Sequence, residues 1–129
     1  HSNNLNDFLN AHYKRDNKCM LTMLTFATNK PESSGIIVKD VKNIMTEFHE
    51  KKKNPPSNCA NGAIYAFENR FLSWLEKNHP KASDFSLDVL PHLINKVQTF
   101  HIRDLFIDIG DPKSLKELND LIAFRGCNK

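Results

Sequence analysis

The stretch Gly-Ala-Ile-Tyr-Ala-Phe, residues 62–67, is an apolar run with polar residues on both sides. A short run of this kind with aromatic and branched members is typical of a buried strand. Residues 20–28 and 35–38 are similarly rich in strand-favouring side chains. Residues 44–50 alternate apolar and polar side chains, which predicts a hairpin with 35–38. The centre of the chain is therefore predicted to be a sheet.

Helices are predicted on either side of these strands. Residues 5–16 and 68–78 carry apolar side chains at three- and four-residue spacing. Asp84 or Ser86 is a suitable N-cap for a third helix that runs to Ile94.

The last third of the chain predicts two further strands, over 97–102 and 105–109. The pair Asp111-Pro112 has the cap and first-turn residues of a final helix, which is predicted to include Leu121 and Ile122. Mixed strands and helices of this kind indicate an α/β or α+β fold.

The composition limits the classes of function. The 129 residues suit one domain, and the net charge of +3, from 18 basic and 15 acidic residues, is too mild to predict nucleic-acid binding. No apolar run approaches the roughly 20 residues of a membrane span. The three cysteines form no CxxC pair, and their odd number argues against a disulfide scaffold. We therefore expect a reducing, cytoplasmic location.

Three segments in order carry a family signal: Phe-His-Glu-Lys-Lys-Lys-Asn-Pro-Pro-Ser-Asn at 48–58, Cys-Ala-Asn-Gly-Ala-Ile-Tyr-Ala-Phe at 59–67, and Phe-Ile-Asp-Ile-Gly-Asp-Pro at 106–112. Together with Asp-Phe-Ser at 84–86 and Ser-Gly-Ile-Ile at 34–37, they resemble the C-terminal half of the sugar-1-phosphate nucleotidyltransferases. The Asn-Gly-Ala-Ile-Tyr form is most similar to the hexose- and heptose-1-phosphate guanylyltransferase branch.

The resemblance implies a partial Rossmann-like α/β fold, a mixed sheet with flanking helices, in which the N-terminal nucleotide-binding half is missing. Glycines at positions 35, 62, 110 and 126 form no Gly-rich phosphate loop. We therefore expect residues 5–129 to be the sugar-phosphate-binding half of a longer enzyme, inactive alone. Residues 1–4 are interpreted as a tag remnant or a truncated start.

Asp108 is the candidate metal ligand. It follows the apolar strand 105–107 and precedes a glycine, and strand ends of α/β sheets are where ligand chemistry occurs. The resemblance implies a Mg²⁺-binding aspartate at this position. Mg²⁺ is commonly held by one or two carboxylates together with phosphate oxygens. The alternative is a turn aspartate that accepts backbone hydrogen bonds.

Glu50 and Lys51 lie where the strand 44–50 enters a polar loop. The resemblance implies that Glu50 accepts sugar hydroxyls and that Lys51, the candidate catalytic residue, pairs with the sugar phosphate, a role that suits its compact charge. The family's proline is replaced by Lys52, which makes the loop less rigid. The alternative is a solvated charge run.

Asn61 and Gly62 are the other candidates for substrate binding. An amide side chain both donates and accepts hydrogen bonds, and glycine permits close approach of the backbone to a ligand. The usual Asn-Xaa-Gly-Ile-Tyr order is altered here, because glycine stands at 62 and alanine at 63. Tyr65 is predicted to be a core residue whose hydroxyl is hydrogen-bonded.

The predicted activity is transfer of a nucleoside monophosphate from an NTP, with GTP expected, to mannose- or heptose-1-phosphate, with release of pyrophosphate. The substrates are the expected partners, and an apolar sheet flank favours pairing with a second copy. Two alternatives stay open. One is a non-catalytic sugar-phosphate-binding or regulatory homologue, and the other is an interaction module without a ligand.

Overall fold

The computed structural model describes residues 5–103 and, for the backbone alone, 121–125. It has two α-helices and six strands in these ranges. The helices are α1 (Leu5–Tyr13) and α2 (Asn69–Asn78), and the strands are β1 (Leu21–Ala27), β2 (Gly35–Lys39), β3 (Met45–Glu50), β4 (Cys59–Glu68), β5 (Val97–His101) and β6 (Leu121–Arg125). The predictions over 105–109 and at Asp111-Pro112 lie outside the described residues.

The strands form one mixed sheet in the order β3-β2-β4-β1-β5, and β6 pairs with β4. Strand β1 runs parallel to β5 and antiparallel to β4. Strands β2 and β3 form the predicted hairpin. The mixed sheet with helices on both faces confirms the predicted α/β class.

Strand β4 has different partners along one of its edges. Near its start it pairs with β2 at a single position, Ile36 opposite Ala60. Beyond that point its edge pairs with β6, in a register that runs from Ile64 opposite Arg125 to Glu68 opposite Leu121. The prediction that Leu121 and Ile122 lie in a helix is therefore wrong. An unpaired backbone edge on a central strand favours strand pairing over the local helical period.

The two faces of the sheet carry separate apolar clusters. One face is covered by α1, and its buried residues are Leu5, Phe8, Leu9, Leu24, Ala66 and Ile102. The opposite face is covered by α2 and the segment after it, and its buried residues include Leu21, Met23, Ile37, Tyr65, Phe67, Phe71, Leu90 and Leu93. We call these the α1 face and the α2 face.

The helix predicted from Asp84 to Ile94 is also corrected. The chain forms a π-helical turn at Phe85–Val89 and a 3₁₀ turn at Leu90–Leu93. Pro91 lacks an N–H and its ring clashes with the carbonyl four residues before it, so a continuous α-helix cannot pass through this point. The cap itself is confirmed, because Asp84 Oδ1 accepts a hydrogen bond of 3.1 Å from the Leu87 N–H.

Candidate functional site

A row of residues crosses five neighbouring strands on the α2 face. Gly35 of β2 is opposite Glu50 of β3, and Thr25 of β1 is opposite both Asn61 of β4 and His101 of β5. The pairing of β2 with β4 at Ile36 and Ala60 places Gly35 beside Asn61, because antiparallel neighbours step in opposite directions. Sequence spacing alone did not predict this row.

Glu50 is the last residue of β3 and lies half-buried over Gly35. A Cβ atom on Gly35 would lie 2.8 Å from Glu50 Oε1 and 3.1 Å from the Phe48 ring. The missing side chain therefore provides the space for the carboxylate. Burial raises the pKa of Glu50, the positive charge of Lys51 opposes that shift, and the charge of Asp84 adds to it. The carboxylate is thus partly shielded from solvent.

Lys51 directly follows this carboxylate. Its φ of 52° lies in the left-handed region, and its N–H donates to the Ser34 carbonyl oxygen at 3.0 Å. The chain turns sharply here, so Glu50 and Lys51 lie at the same edge of the sheet, as a ligand shared between them requires. The Lys51 side chain is exposed. Its contact with a phosphate stays a prediction.

Asn61 is hydrogen-bonded through both ends of its amide. Its Nδ2 donates to the Tyr65 hydroxyl at 2.7 Å, and its Oδ1 accepts from the Ala63 N–H at 2.8 Å. Tyr65 is 1% exposed, and burial raises its pKa to about 12. The prediction of a core tyrosine with a bonded hydroxyl is confirmed. Half-buried Asn61 retains a second amide hydrogen and a second lone pair for a ligand.

The segment after Asn61 is irregular. Met23 is opposite Tyr65 and Thr25 is opposite Asn61, so residues 62–64 bulge opposite Leu24. A Cβ atom on Gly62 would lie 2.7 Å from Leu24 Cδ2 and 2.9 Å from the Leu24 carbonyl oxygen. The backbone of β4 can therefore approach β1 this closely only with a glycine at position 62. The approach of the Gly62 backbone to a ligand stays a prediction. Ala63 has a φ of 61° at the position where the resembled pattern has glycine.

Thr25 and His101 form a pair that sequence reasoning missed. Thr25 is fully buried, and its Oγ1 lies 3.0 Å from His101 Nδ1. Cys59 Sγ lies 3.8 Å from the same nitrogen, so the ring leans across β1 toward β4. Burial and the charge of Lys39 lower the pKa of His101. The sequence pattern that could have identified His101 is strand alternation, because positions 97, 99 and 101 share one face.

The predicted magnesium site lies outside the described residues, because Asp108 does. Within 5–103, no three His, Cys, Asp or Glu side chains come together as a metal-binding group. Glu50 is the one acidic member of the row, and Mg²⁺ is commonly held by one or two carboxylates together with phosphate oxygens. Mg²⁺ therefore stays a prediction that depends on Asp108.

A separate open groove of about 560 Å³ runs along α2 and the turn after it. Its lining includes Leu72, Glu76 and His79. None of the row residues lines it, and it contains none of the residues that carry the family resemblance. The row is therefore the candidate site.

A mixed sheet with a polar row near the carboxyl ends of two parallel strands defines an α/β domain of the ligand-binding type. The model of the family described as nucleotidyl transferase matches residues 1–124. The chain therefore belongs to the nucleotidyl transferase family, as the motifs predicted.

Curated relatives support this assignment. The chain is 36% identical over 95 residues to the bifunctional protein GlmU of Methanococcus aeolicus, which covers 70% of the chain and 23% of the relative. It is 28% identical over 120 residues to the glucose-1-phosphate adenylyltransferase of Clostridium acetobutylicum, which covers 88% and 32%. The corresponding enzyme of Fervidobacterium nodosum is 26% identical over 125 residues, covering 92% and 30%. The chain spans about a quarter to a third of the length of these relatives.

No helix in the described part of the chain is long and apolar enough to cross a membrane.

Proposed function

We propose that this chain supplies the sugar-phosphate-binding part of a sugar-1-phosphate nucleotidyltransferase. The observation that carries the proposal is the group formed by Glu50, Asn61 and Tyr65 on the α2 face. A half-buried carboxylate lies over a glycine, next to an amide that is fixed by a buried phenol. Acceptors and donors held in this way are suited to the hydroxyls of a sugar.

In the proposed reaction a phosphate oxygen of the sugar 1-phosphate attacks the α-phosphorus of an NTP, and pyrophosphate leaves. Protein groups act in such a transfer mainly by positioning and by neutralising charge. Glu50 accepts sugar hydroxyls, Asn61 donates to and accepts from them, and Lys51 pairs with the sugar phosphate. Asp108 would hold Mg²⁺, which neutralises phosphate charge when bound.

The substrates expected from the Asn-Gly-Ala-Ile-Tyr motif are GTP with mannose- or heptose-1-phosphate. Two of the relatives are named as glucose-1-phosphate adenylyltransferases. The substrate pair is therefore tested as a choice between these combinations. Pyrophosphate release is measured with the complete protein in which this chain occurs, in Mg²⁺ buffer, for ATP, GTP, UTP, CTP and dTTP against glucose-, mannose- and heptose-1-phosphate. Release with one sugar 1-phosphate supports the proposal, and the preferred pair identifies the branch.

Two variants test the assigned roles with that pair. Glu50→Gln keeps the shape of the side chain but removes the charge, and we expect KM for the sugar 1-phosphate to rise about tenfold or more. Glu47→Gln is the matched control, because this exposed residue on the same strand pairs only with His49 among the described residues. Asp108→Asn is expected to abolish turnover and to leave the protein folded. Full activity of Asp108→Asn would contradict the metal assignment.

The alternative is a non-catalytic homologue that binds a sugar phosphate. Saturable binding of a sugar 1-phosphate to the complete protein, without pyrophosphate release for any pair, would favour this regulatory function. Absence of both binding and release would contradict each of these proposals and favour an interaction module.

A further inference from the structure

His101 occupies the end of the polar row that the proposed contacts leave unused. It is exposed at the last position of β5, and its ring leans over β1 far enough to bring Nδ1 within 3.8 Å of Cys59 Sγ on β4. Cys59 and Asn61 are two residues apart on one strand and share a face. The imidazole therefore lies beside Asn61, on the side opposite Glu50.

The surroundings of the ring favour one of its two neutral tautomers. Nδ1 faces the Thr25 hydroxyl at 3.0 Å and the Cys59 thiol at 3.8 Å. Each of these groups has a hydrogen to donate, and the hydroxyl hydrogen rotates toward an acceptor. Because Thr25 is fully buried, its hydroxyl is shielded from water, and Nδ1 is the acceptor that the described part of the chain offers it. The ring proton then resides on Nε2, at the exposed end of the side chain.

The charge and position of the ring favour a hydroxyl over a phosphate as its partner. Burial and Lys39 lower the pKa of His101, which favours the neutral imidazole, a dipole and not a cation. The Glu50 carboxylate lies over β2 and the imidazole over β1, two strands or roughly 10 Å apart. Asn61 lies between them on β4. Three polar groups of this kind suit the hydroxyls on the rim of one sugar ring.

We propose that His101 is a sugar-specificity residue whose Nε2–H donates to a sugar hydroxyl opposite the one bound by Glu50, and that Thr25 is the positioning residue that fixes its tautomer. The inference deepens the proposed function and depends on it. The contact with His101 then distinguishes sugars that differ in configuration at the carbon that bears this hydroxyl.

The test uses the complete protein, the NTP and sugar 1-phosphate pair that gives the fastest pyrophosphate release, and steady-state kinetics. His101→Leu removes the donor, and we expect KM for the sugar 1-phosphate to rise about tenfold while KM for the NTP changes less than about twofold. His101→Gln places an amide N–H near the position of Nε2, and we expect it to restore KM to within about threefold of the wild type. His92→Leu, at an exposed position on the 3₁₀ turn, is the matched control and should match the wild type.

Thr25 and sugar analogues complete the test. Thr25→Val removes the hydroxyl at nearly constant volume and is expected to raise KM for the sugar about threefold, whereas Thr25→Ser should match the wild type. One monodeoxy sugar 1-phosphate should lack the hydroxyl that His101 contacts. We expect the wild type to bind this analogue about tenfold more weakly than the parent sugar 1-phosphate, and His101→Leu to bind the two equally well.

Three outcomes would overturn the inference. An unchanged KM in His101→Leu would show that the imidazole makes no contact. Equal impairment of His101→Leu and His101→Gln, for both substrates, would show a structural role only. If His101→Leu weakens binding of the parent sugar 1-phosphate and of every deoxy analogue by the same factor, the contact is with the phosphate. If the wild type releases no pyrophosphate with any pair, the proposed function fails and this inference fails with it.

Discussion

Strand β1 carries two threonine–histidine pairs, one on each face of the sheet. On the α1 face, Thr22 Oγ1 lies 2.7 Å from His12 Nδ1, and both residues are fully buried. On the α2 face, Thr25 Oγ1 lies 3.0 Å from His101 Nδ1, and the histidine is exposed. The same two groups thus form one pair inside the core and one at an open surface.

Under the proposed function, burial and not residue type separates the pair that packs from the pair that binds. His12 Nε2 is buried without a hydrogen-bond partner among the described residues, so a ligand has no access to it. The two glycines with close contacts divide in the same way. Gly62 makes room for Leu24 of the α1 face, whereas Gly35 makes room for the Glu50 carboxylate on the α2 face.

The largest expected effect is the pH dependence of folding stability that the buried pair of His12 and Thr22 causes. Burial, with help from Arg15 and Arg70 and against Glu68, lowers the pKa of His12 from 6.5 to about 4. Between these pH values the unfolded chain binds a proton that the folded chain does not. Stability present above pH 6.5 is therefore lost as the pH falls toward 4, by roughly 3 kcal/mol. Urea unfolding of the wild type and His12→Asn across pH 4–7 measures this, and parallel profiles for the two proteins would contradict it.

Next in size is the cost of filling the space at Gly62. In Gly62→Ala the new methyl group meets the Leu24 carbonyl and side chain, which cannot both move without opening the sheet. We expect the free energy of unfolding to fall by about 1–3 kcal/mol, with KM for the sugar 1-phosphate in the folded protein nearly unchanged. Chemical denaturation and kinetics on the same sample measure both quantities. A large rise in KM at unchanged stability would instead place the Gly62 backbone against the ligand.

Gly35→Ala is the counterpart on the α2 face. Its methyl group displaces the Glu50 carboxylate, a flexible side-chain end, so stability should fall less than in Gly62→Ala. We expect KM for the sugar 1-phosphate to rise about tenfold, which corresponds to about 1.4 kcal/mol. If Gly35→Ala and Gly62→Ala affect stability and KM in the same proportions, the division between the two faces is wrong.

The smallest expected effect is a gain at Ala63. Its left-handed backbone costs a residue with a Cβ atom about 1–2 kcal/mol, partly offset in Ala63→Gly by the larger entropy of the unfolded chain. We expect the variant to be more stable by about 0.5–1 kcal/mol, as shown by a higher midpoint of denaturation. Ala66→Gly, in the regular part of the same strand, is the control and should be destabilised.

Local features of this fold were predicted well from the sequence. The β2–β3 hairpin, helix α2 and the Asp84 cap depend on residues close together in the chain, so their patterns are visible in it. Strand β6 was not predicted, because the reason for it is the open edge of β4, which is distant in sequence. Local spacing says nothing about such an edge.

The candidate site was predicted in part for the same reason. Glu50, Lys51 and Asn61 belong to contiguous motifs, and the structure brings Glu50 and Asn61 into one row. Thr25 and His101 have no motif around them. Their place in the row depends on pairing across β1, β4 and β5 and on the bulge at 62–64, which places Asn61 and not Ala63 opposite Thr25. The prediction for Asp108 lies outside the described residues and awaits the substitution proposed above.

The most direct test of the central claim is a crystal structure of the complete protein with the preferred sugar 1-phosphate. We predict a sugar ring over Gly35 and Asn61, with hydroxyls within hydrogen-bond distance of the Glu50 carboxylate on one side and His101 Nε2 on the other. A sugar bound elsewhere, for example in the groove along α2, with the polar row occupied only by water, would contradict the account.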